Sequence, residues 1–288
     1  MQVGVVELKG RGAHLARRFL ATGHECAVYD RSPRLVAELG AAKAYGASSL
    51  ADLIHELDAP RIVWLTGSAA EADAAIEDLR KLVEAGDVLV DASESESADA
   101  VRRARLLARI QVQYVDVGIC GGMPAHDEGS CLTVGGDEQT VKMLSSLFED
   151  LTLPLYEDRH PVRRRRSGFL GRRRRRVVHC GPVGAGHFVR SVHDAIERRL
   201  IAAYAEGFAL LHNGQQGPAG CEYAFDLLHI AETWRSGSPI ASTVLDRAEE
   251  ILSSEPEQAA ASRPRQRPWD AEFAERLTSR LNDEVTDR

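Results

Sequence analysis

Arg190, His193, Asp194 and Glu197 stand at i, i+3, i+4 and i+7 in the segment GAGHFVRSVHDAIE, residues 184–197. On a helix this spacing projects all four side chains from one face. Arg190 occupies the place where a proton acceptor would be useful, yet an arginine side chain stays protonated in proteins. By spacing alone Arg190, Asp194 and Glu197 are better explained as ion-pair partners on a solvated face, and His193 as a structural helix residue. Gly184 and Gly186 ahead of them predict close packing at the start of the helix.

A second candidate site lies at the beginning of the chain. An apolar strand runs into Val6-Glu7-Leu8-Lys9-Gly10-Arg11-Gly12, followed by a helical pattern. In a dinucleotide-binding domain this turn is glycine-rich and the pyrophosphate rests on the helix N-terminus. Leu8, Gly10 and Gly12 are the candidate contacts. Gly12 fits the third fingerprint glycine, which permits close helix–sheet packing, whereas Glu7 and Lys9 replace the first two. Asp30 follows eighteen residues after Gly12, where a carboxylate accepts the ribose hydroxyls of NAD. Arg31 beside it leaves room for the 2′-phosphate of NADP. The competing reading is that Asp30-Arg31-Ser32-Pro33 simply caps a helix. The later cluster Gly181-Pro-Val-Gly184-Ala-Gly186 lacks a following strand with an acid, and is read as a close-packing turn facing the other domain.

These groups need a scaffold. Apolar runs at Val3–Val6, Glu25–Tyr29, Arg61–Leu65, Val88–Asp91, Gln113–Val117 and Leu132–Val134 alternate with amphipathic stretches at 12–22, 33–39, 71–84 and 98–109. That rhythm predicts an α/β fold: a Rossmann-type, doubly wound, mostly parallel sheet with helices on both faces. A further helix is expected at 138–150. From Phe188 to Leu211 the apolar residues follow helical spacing, and helices are expected at 222–235, 239–252 and 270–284. The expected organisation is a dinucleotide-binding domain at 1–156, a basic linker at 157–176 and an all-helical domain at 177–288.

Composition narrows the classes. With 36 basic and 43 acidic residues the net charge is −7, and 44% of the 288 residues are hydrophobic, ordinary for a globular chain. No apolar run approaches the roughly 20 residues that span a bilayer, and MQVGVVELKG lacks a signal-peptide pattern. Five cysteines (26, 120, 131, 180, 221) form no CxxC pair, which predicts a reducing, cytoplasmic setting. The ten histidines show no metal-ligand motif, so no metal is expected. Arg163–Arg166 and Arg172–Arg176 place nine arginines in fourteen residues. A solvated loop explains them better than a nucleic-acid patch, because only Phe169 supplies an aromatic.

HCGPVGAGHFVRSVHDAIE followed by AYAEGF, with YVDVGICGG earlier and ETWRSGSPIAS later, resembles the decarboxylating 6-phosphogluconate dehydrogenases, above all their short, NAD-preferring bacterial branch. The resemblance runs from residue 1 to about 250, and DAEFAERLTSRLNDE looks like that branch's C-terminal helix. It implies an NAD-dependent oxidative decarboxylation of a phosphorylated sugar acid by a homodimer joined through its helices. In the family a lysine takes the proton of the substrate's 3-hydroxyl as hydride leaves C3, and a glutamate protonates the enol left by loss of CO2. Position by position, the lysine falls on Arg190 and the glutamate on Glu197. His193 matches, and the asparagine that follows it is Asp194. The Ser-Gly-Gly substrate loop becomes Cys120-Gly121-Gly122, and the asparagine near the nicotinamide becomes Glu94. The tyrosine after the acid becomes Arg198, and a phosphate-binding arginine becomes Ala241. The resemblance therefore implies a preserved scaffold with a weakened or lost reaction. Its rivals are a reductase of the same superfamily acting on another hydroxy acid or an imine, and a non-catalytic binding paralogue.

Overall fold

The computed structural model describes residues 1–120, 131–152, 176–213, 223, 225–254 and 275–281. They divide into two compact units, Met1–His193 and Asp194–Asp287.

The first unit is built on eight strands: β1 (Gln2–Val6), β2 (Glu25–Tyr29), β3 (Tyr45–Gly46), β4 (Ile62–Leu65), β5 (Val88–Asp91), β6 (Gln113–Cys120), β7 (Cys131–Gly135) and β8 (Val177–Gly181). Their order in the sheet is β3-β2-β1-β4-β5-β6-β7-β8. Every neighbouring pair is parallel except β6 and β7. β4 and β5 are buried throughout, as parallel strands covered on both faces must be.

Side chains alternate across the sheet and feed two cores. Val3, Val5 and Trp64 pack on one face with Leu15 and Phe19 of α1 (Arg11–Ala21) and Phe148 of α7 (Ser145–Thr152). Val6, Val63 and Leu89 pack on the other with Leu53 of α3 (Leu50–Glu56), Ile76 of α4 (Ala69–Leu79) and Leu107 of α5 (Ser97–Ala108). Local chemistry starts these helices. Pro33 opens α2 (Pro33–Gly40), and a Ser68–Glu71 capping box opens α4. Asp137 accepts from the Thr140 N–H to open α6 (Glu138–Met143).

Three expectations change. The stretch 138–150 is two helices, α6 and α7, separated at Leu144. α3 and the two-residue β3 were not anticipated, because they are short. Val177–Gly181, assigned from sequence to the helical part, is the last strand of the sheet. It is an edge strand, exposed at Val178 and His179, so it lacks the apolar run that marks its neighbours.

α8 (Ala185–Asn213) begins in the first unit and continues into the second. In the second unit Ile201, Ala205 and Phe208 of α8 form a core with Leu227 and Ala231 of α9 (Leu227–Gly237) and Leu245 and Ala248 of α10 (Thr243–Ser254). Residues 275–281 are helical and add Leu277 and Leu281. No helix among the described residues is long and apolar enough to cross a membrane.

Candidate active site

The β1–α1 turn is built around one glycine. A Cβ on Gly12 would stand 2.0 Å from the Glu7 carbonyl oxygen and 2.6 Å from Thr66 Oγ1, so only glycine lets α1 sit this close to the sheet. Thr66 donates to that same Glu7 carbonyl. Glu7 has φ 67°, the left-handed conformation that a glycine supplies at no cost. Gly10, φ 51°, caps α1, whose first turn holds no acidic residue. The buried Asp30 carboxylate accepts from the Leu8 N–H at 2.7 Å and from the Ser32 N–H at 2.6 Å. It ties β2 to the turn while keeping further lone pairs for a sugar hydroxyl. Arg31 is exposed.

Glu7 works against an anionic ligand here. Its side chain is buried, and burial, with the charges of Asp30 and Glu71, pushes its carboxyl above the usual range. Lys9 sits nearby but pairs with Glu71 at 3.5 Å. The turn thus keeps the backbone shape and helix terminus that hold a dinucleotide, with one opposing carboxylate.

At the end of β5 a buried polar network fixes the next turn. Asp91 accepts from the Ser93 N–H at 2.9 Å, from Arg103 Nη1 at 2.7 Å and from the Tyr114 hydroxyl. Arg103, on α5, also donates to Ser95 Oγ at 2.6 Å, to Asp73 at 2.7 Å and to the Ala69 carbonyl at 2.7 Å. Burial and the Asp91 charge push the Tyr114 phenol well above its ordinary value, which keeps it a donor. The product is a rigid Ala92–Ser95 turn. Glu94 on it is exposed and is held through its backbone N–H to the Gly67 carbonyl at 2.8 Å.

Asp116 does the same for α8. Its buried carboxylate accepts from the Gly184 N–H at 2.6 Å and the His187 N–H at 2.8 Å, capping the helix from β6. A Cβ on Gly186 would meet the Asp116 and Thr133 carbonyl oxygens, both at 2.6 Å. In the Gly181–Gly186 cluster, expected to face another domain, Gly186 packs on β6 and β7 and Gly184 on Ser97 and Val101 of α5, all within the first unit. His187 is fully buried and its Nε2–H donates to the Asp91 carbonyl at 3.1 Å. Burial pulls this imidazole below its ordinary value, which favours the neutral form.

Arg190 is buried one turn further on. Its Nη2 donates to the Ser95 carbonyl at 3.2 Å, so α8 and the Ala92–Ser95 turn meet through this guanidinium. Beyond it, within α8 itself, the side-chain atoms of His193, Asp194 and Glu197 lie within 4.8 Å of one another. The sequence held no metal motif, and one imidazole with two carboxylates on a helix carries no metal assignment by itself. Glu197 accepts from Arg247 Nη1 at 3.3 Å inside the helical unit. Arg198 is exposed. Ala241 lies in the turn before α10, its N–H donating to the Ser238 carbonyl at 3.1 Å. Cys120 is buried at the end of β6. Gly121 and Gly122 lie outside the described residues, as do Arg163–Arg166 and Arg172–Arg175. The second arginine run ends on Arg176, whose Nη1 donates to the Thr152 carbonyl at 3.1 Å.

Comparison with known proteins decides the family. The model of the NAD-binding domain of 6-phosphogluconate dehydrogenase matches residues 2–156, more than half of the chain. The NAD-dependent decarboxylating 6-phosphogluconate dehydrogenase of Haloferax volcanii is 33% identical over 88% of this chain and 76% of its own length. This chain belongs to the 6-phosphogluconate dehydrogenase family. The YqeC protein of Bacillus subtilis is 29% identical over 88% of this chain and 77% of its own. A solved structure of Mycobacterium tuberculosis 3-hydroxyisobutyrate dehydrogenase with L-serine superposes with a TM-score of 0.63, covering 99% of this chain and 93% of that one. At 14% identity it speaks for the fold alone. This family member thus carries an NAD-binding domain of Rossmann type.

Asp91, Arg103, Tyr114, Asp116 and His187, which fix the turn and the helix start in this family member, were not anticipated from sequence. One signal was present: an aspartate inside the buried strands VLVD and QYVDVGIC must be paired or it costs the fold several kcal/mol.

Proposed function

We propose that this family member binds NAD, with NADP as the second dinucleotide, and carries out the oxidative decarboxylation of 6-phosphogluconate to ribulose 5-phosphate only weakly. Gly10, Gly12 and the α1 N-terminus would hold the pyrophosphate, and Asp30 and Arg31 the adenosine ribose. The bound nicotinamide would supply hydride acceptance. Glu197 is the proton donor of the reaction, and His193 and Asp194 beside it bind and orient the substrate. Cys120, Gly121, Gly122 and Arg198 supply the remaining substrate contacts, and Glu94 borders the nicotinamide. The exposed apolar residues Phe188, Val192, Ile196 and Leu200, spaced by four on α8, support a homodimer formed through that helix.

The observation that carries the reading is Arg190. Its guanidinium is buried and donates to the Ser95 carbonyl, and the family resemblance sets Arg190 where a lysine accepts the substrate proton. A permanently protonated group positions a carboxylate or an alkoxide but leaves proton removal to water. General acid–base steps contribute about 10²–10⁴-fold, which sets the size of the loss. The test is a parallel assay of wild type and Arg190→Lys with 6-phosphogluconate and NAD. We expect kcat to rise by about 10²-fold in the lysine variant, the low end of that range. Wild-type turnover at the level of an ordinary dehydrogenase refutes the reading. No gain in the variant, together with no calorimetric NAD binding, supports a non-catalytic paralogue instead.

A further inference from the structure

Two thiols face each other across the only antiparallel pair of strands among the described residues. Cys120, the last residue of β6, is the register partner of Cys131, the first residue of β7. Neither is engaged in a disulfide. Directly opposed residues of an antiparallel ladder have Cα atoms about 4.5–5.5 Å apart, inside the span of about 4.4–6.8 Å that a disulfide bridges. Cys131 Sγ already lies 3.5 Å from the Cys120 carbonyl oxygen.

The two sulfurs have unequal surroundings. Cys120 is 4% exposed, whereas Cys131 is open to solvent. The groups around Cys131 favour its thiolate: the Cys120 side chain hydrogen-bonds to it from β6, and His193 of α8 and Arg176 before β8 bring positive charge. Against the cost of burial these pull the thiol down to about 6. Burial instead pushes the Cys26 thiol up to about 12 and raises that of Cys180. An exposed thiolate with a second thiol beside it is the arrangement of a redox-reactive pair.

We propose that Cys131 and Cys120 form a redox modification site, in which a hydroperoxide oxidises Cys131 and Cys120 resolves the product into a cross-strand disulfide. The Cys131 sulfur attacks the outer oxygen of the hydroperoxide, the O–O bond breaks, and the alcohol (water, for hydrogen peroxide) leaves with a proton. Cys131 is now a sulfenic acid. The Cys120 thiol gives up its proton as its sulfur attacks that of Cys131. The S–O bond breaks, water leaves and the S–S bond forms. Two thiols lose two electrons in total, and the peroxide gains them. A dithiol reductant reverses the link by exchange. The pair shares Cys120 and His193 with the substrate contacts proposed above, but its oxidation chemistry does not require that activity.

The test uses the full, reduced chain treated with hydrogen peroxide and read by intact mass, peptide mapping and dimedone trapping. Wild type should lose two hydrogens, link residues 120 and 131, and return to the starting mass with dithiothreitol. Cys120→Ser should stop at a dimedone-trapped sulfenic acid on Cys131. Cys131→Ser should form no such link and lose thiols at least about tenfold more slowly. Where a variant fails to fold, timed alkylation of wild type gives the same reading, with Cys131 modified well ahead of Cys26. Oxidation of Cys131 without pairing to Cys120, or Cys131 reacting no faster than Cys26, overturns the proposal.

Discussion

Asp91→Asn isolates the network on which the Ala92–Ser95 turn depends. Asp91 is fully buried and accepts from Arg103, Tyr114 and both the N–H and hydroxyl of Ser93. Every partner is a donor, so an amide NH2 in either orientation meets a donor where it needs an acceptor. Arg103, 1% exposed, also loses its buried countercharge. Breaking a buried pair costs about 3–5 kcal/mol. Asp73 remains 2.7 Å from Arg103 Nε and retains part of the compensation, which places the loss near the low end, about 3 kcal/mol. That is roughly a hundredfold in the folding equilibrium. Urea titration of both proteins, followed by fluorescence and circular dichroism at pH 7, measures it. The pH dependence supplies a second reading. Burial alone would raise the Asp91 carboxyl, but the charges of His187 (once protonated) and Arg103, with the Ser93 and Tyr114 hydroxyls, hold it below 3.8. A depressed carboxyl contributes stability that is complete above the unfolded value and disappears as pH falls through the folded one. The difference between the two proteins should therefore be constant at neutral pH and shrink only below about pH 3.8. A loss under 1 kcal/mol, or one unchanged by acid, would refute this account of the network.

Two further changes probe neighbouring parts. Gly186→Ala forces a Cβ to within 2.6 Å of two carbonyl oxygens and should destabilise the first unit by about 3 kcal/mol or more, read as a fall in urea midpoint. An unchanged midpoint would show that α8 is free to move off β6 and β7. Glu7→Gly should tighten NAD binding by about tenfold in calorimetry, since it removes a carboxylate and a left-handed non-glycine residue together. Glu7→Gln retains the conformation and separates the two effects. Because the Glu7 carboxyl is raised above 4.5, its destabilising contribution grows as pH rises from the unfolded value and levels off above the folded one, so the advantage of Glu7→Gln in urea should increase from pH 4.5 upward to a plateau.

Much of the site's frame was legible in the sequence, because helices and buried strands write their periodicity into local composition. The six principal strands and the helix carrying Arg190 to Glu197 follow from apolar spacing alone. So does Gly12, since only glycine lets a strand turn into a helix pressed against the sheet. Elements with weak local signals escaped: β8 is a half-exposed edge, and β3 is two residues long. Polar pairing escaped as well. VLVD and YVDVGIC announce that two aspartates enter the interior, but not that Asp91 meets Arg103 from α5 or that Asp116 caps α8.

The sequence by itself therefore determined the fold class, the strand–turn–helix around Gly12 and the placing of Arg190, His193, Asp194 and Glu197 on one helical face. Tertiary structure alone decided where Arg190 points. A helical repeat fixes which residues share a face, but not which carbonyls, charges or thiols lie opposite. Arg190 is brought to the Ser95 carbonyl by residues 95 positions away, and Cys131 to Cys120 by strand register. Such contacts depend on distances set by the whole sheet, to which neighbouring residues in the chain are blind.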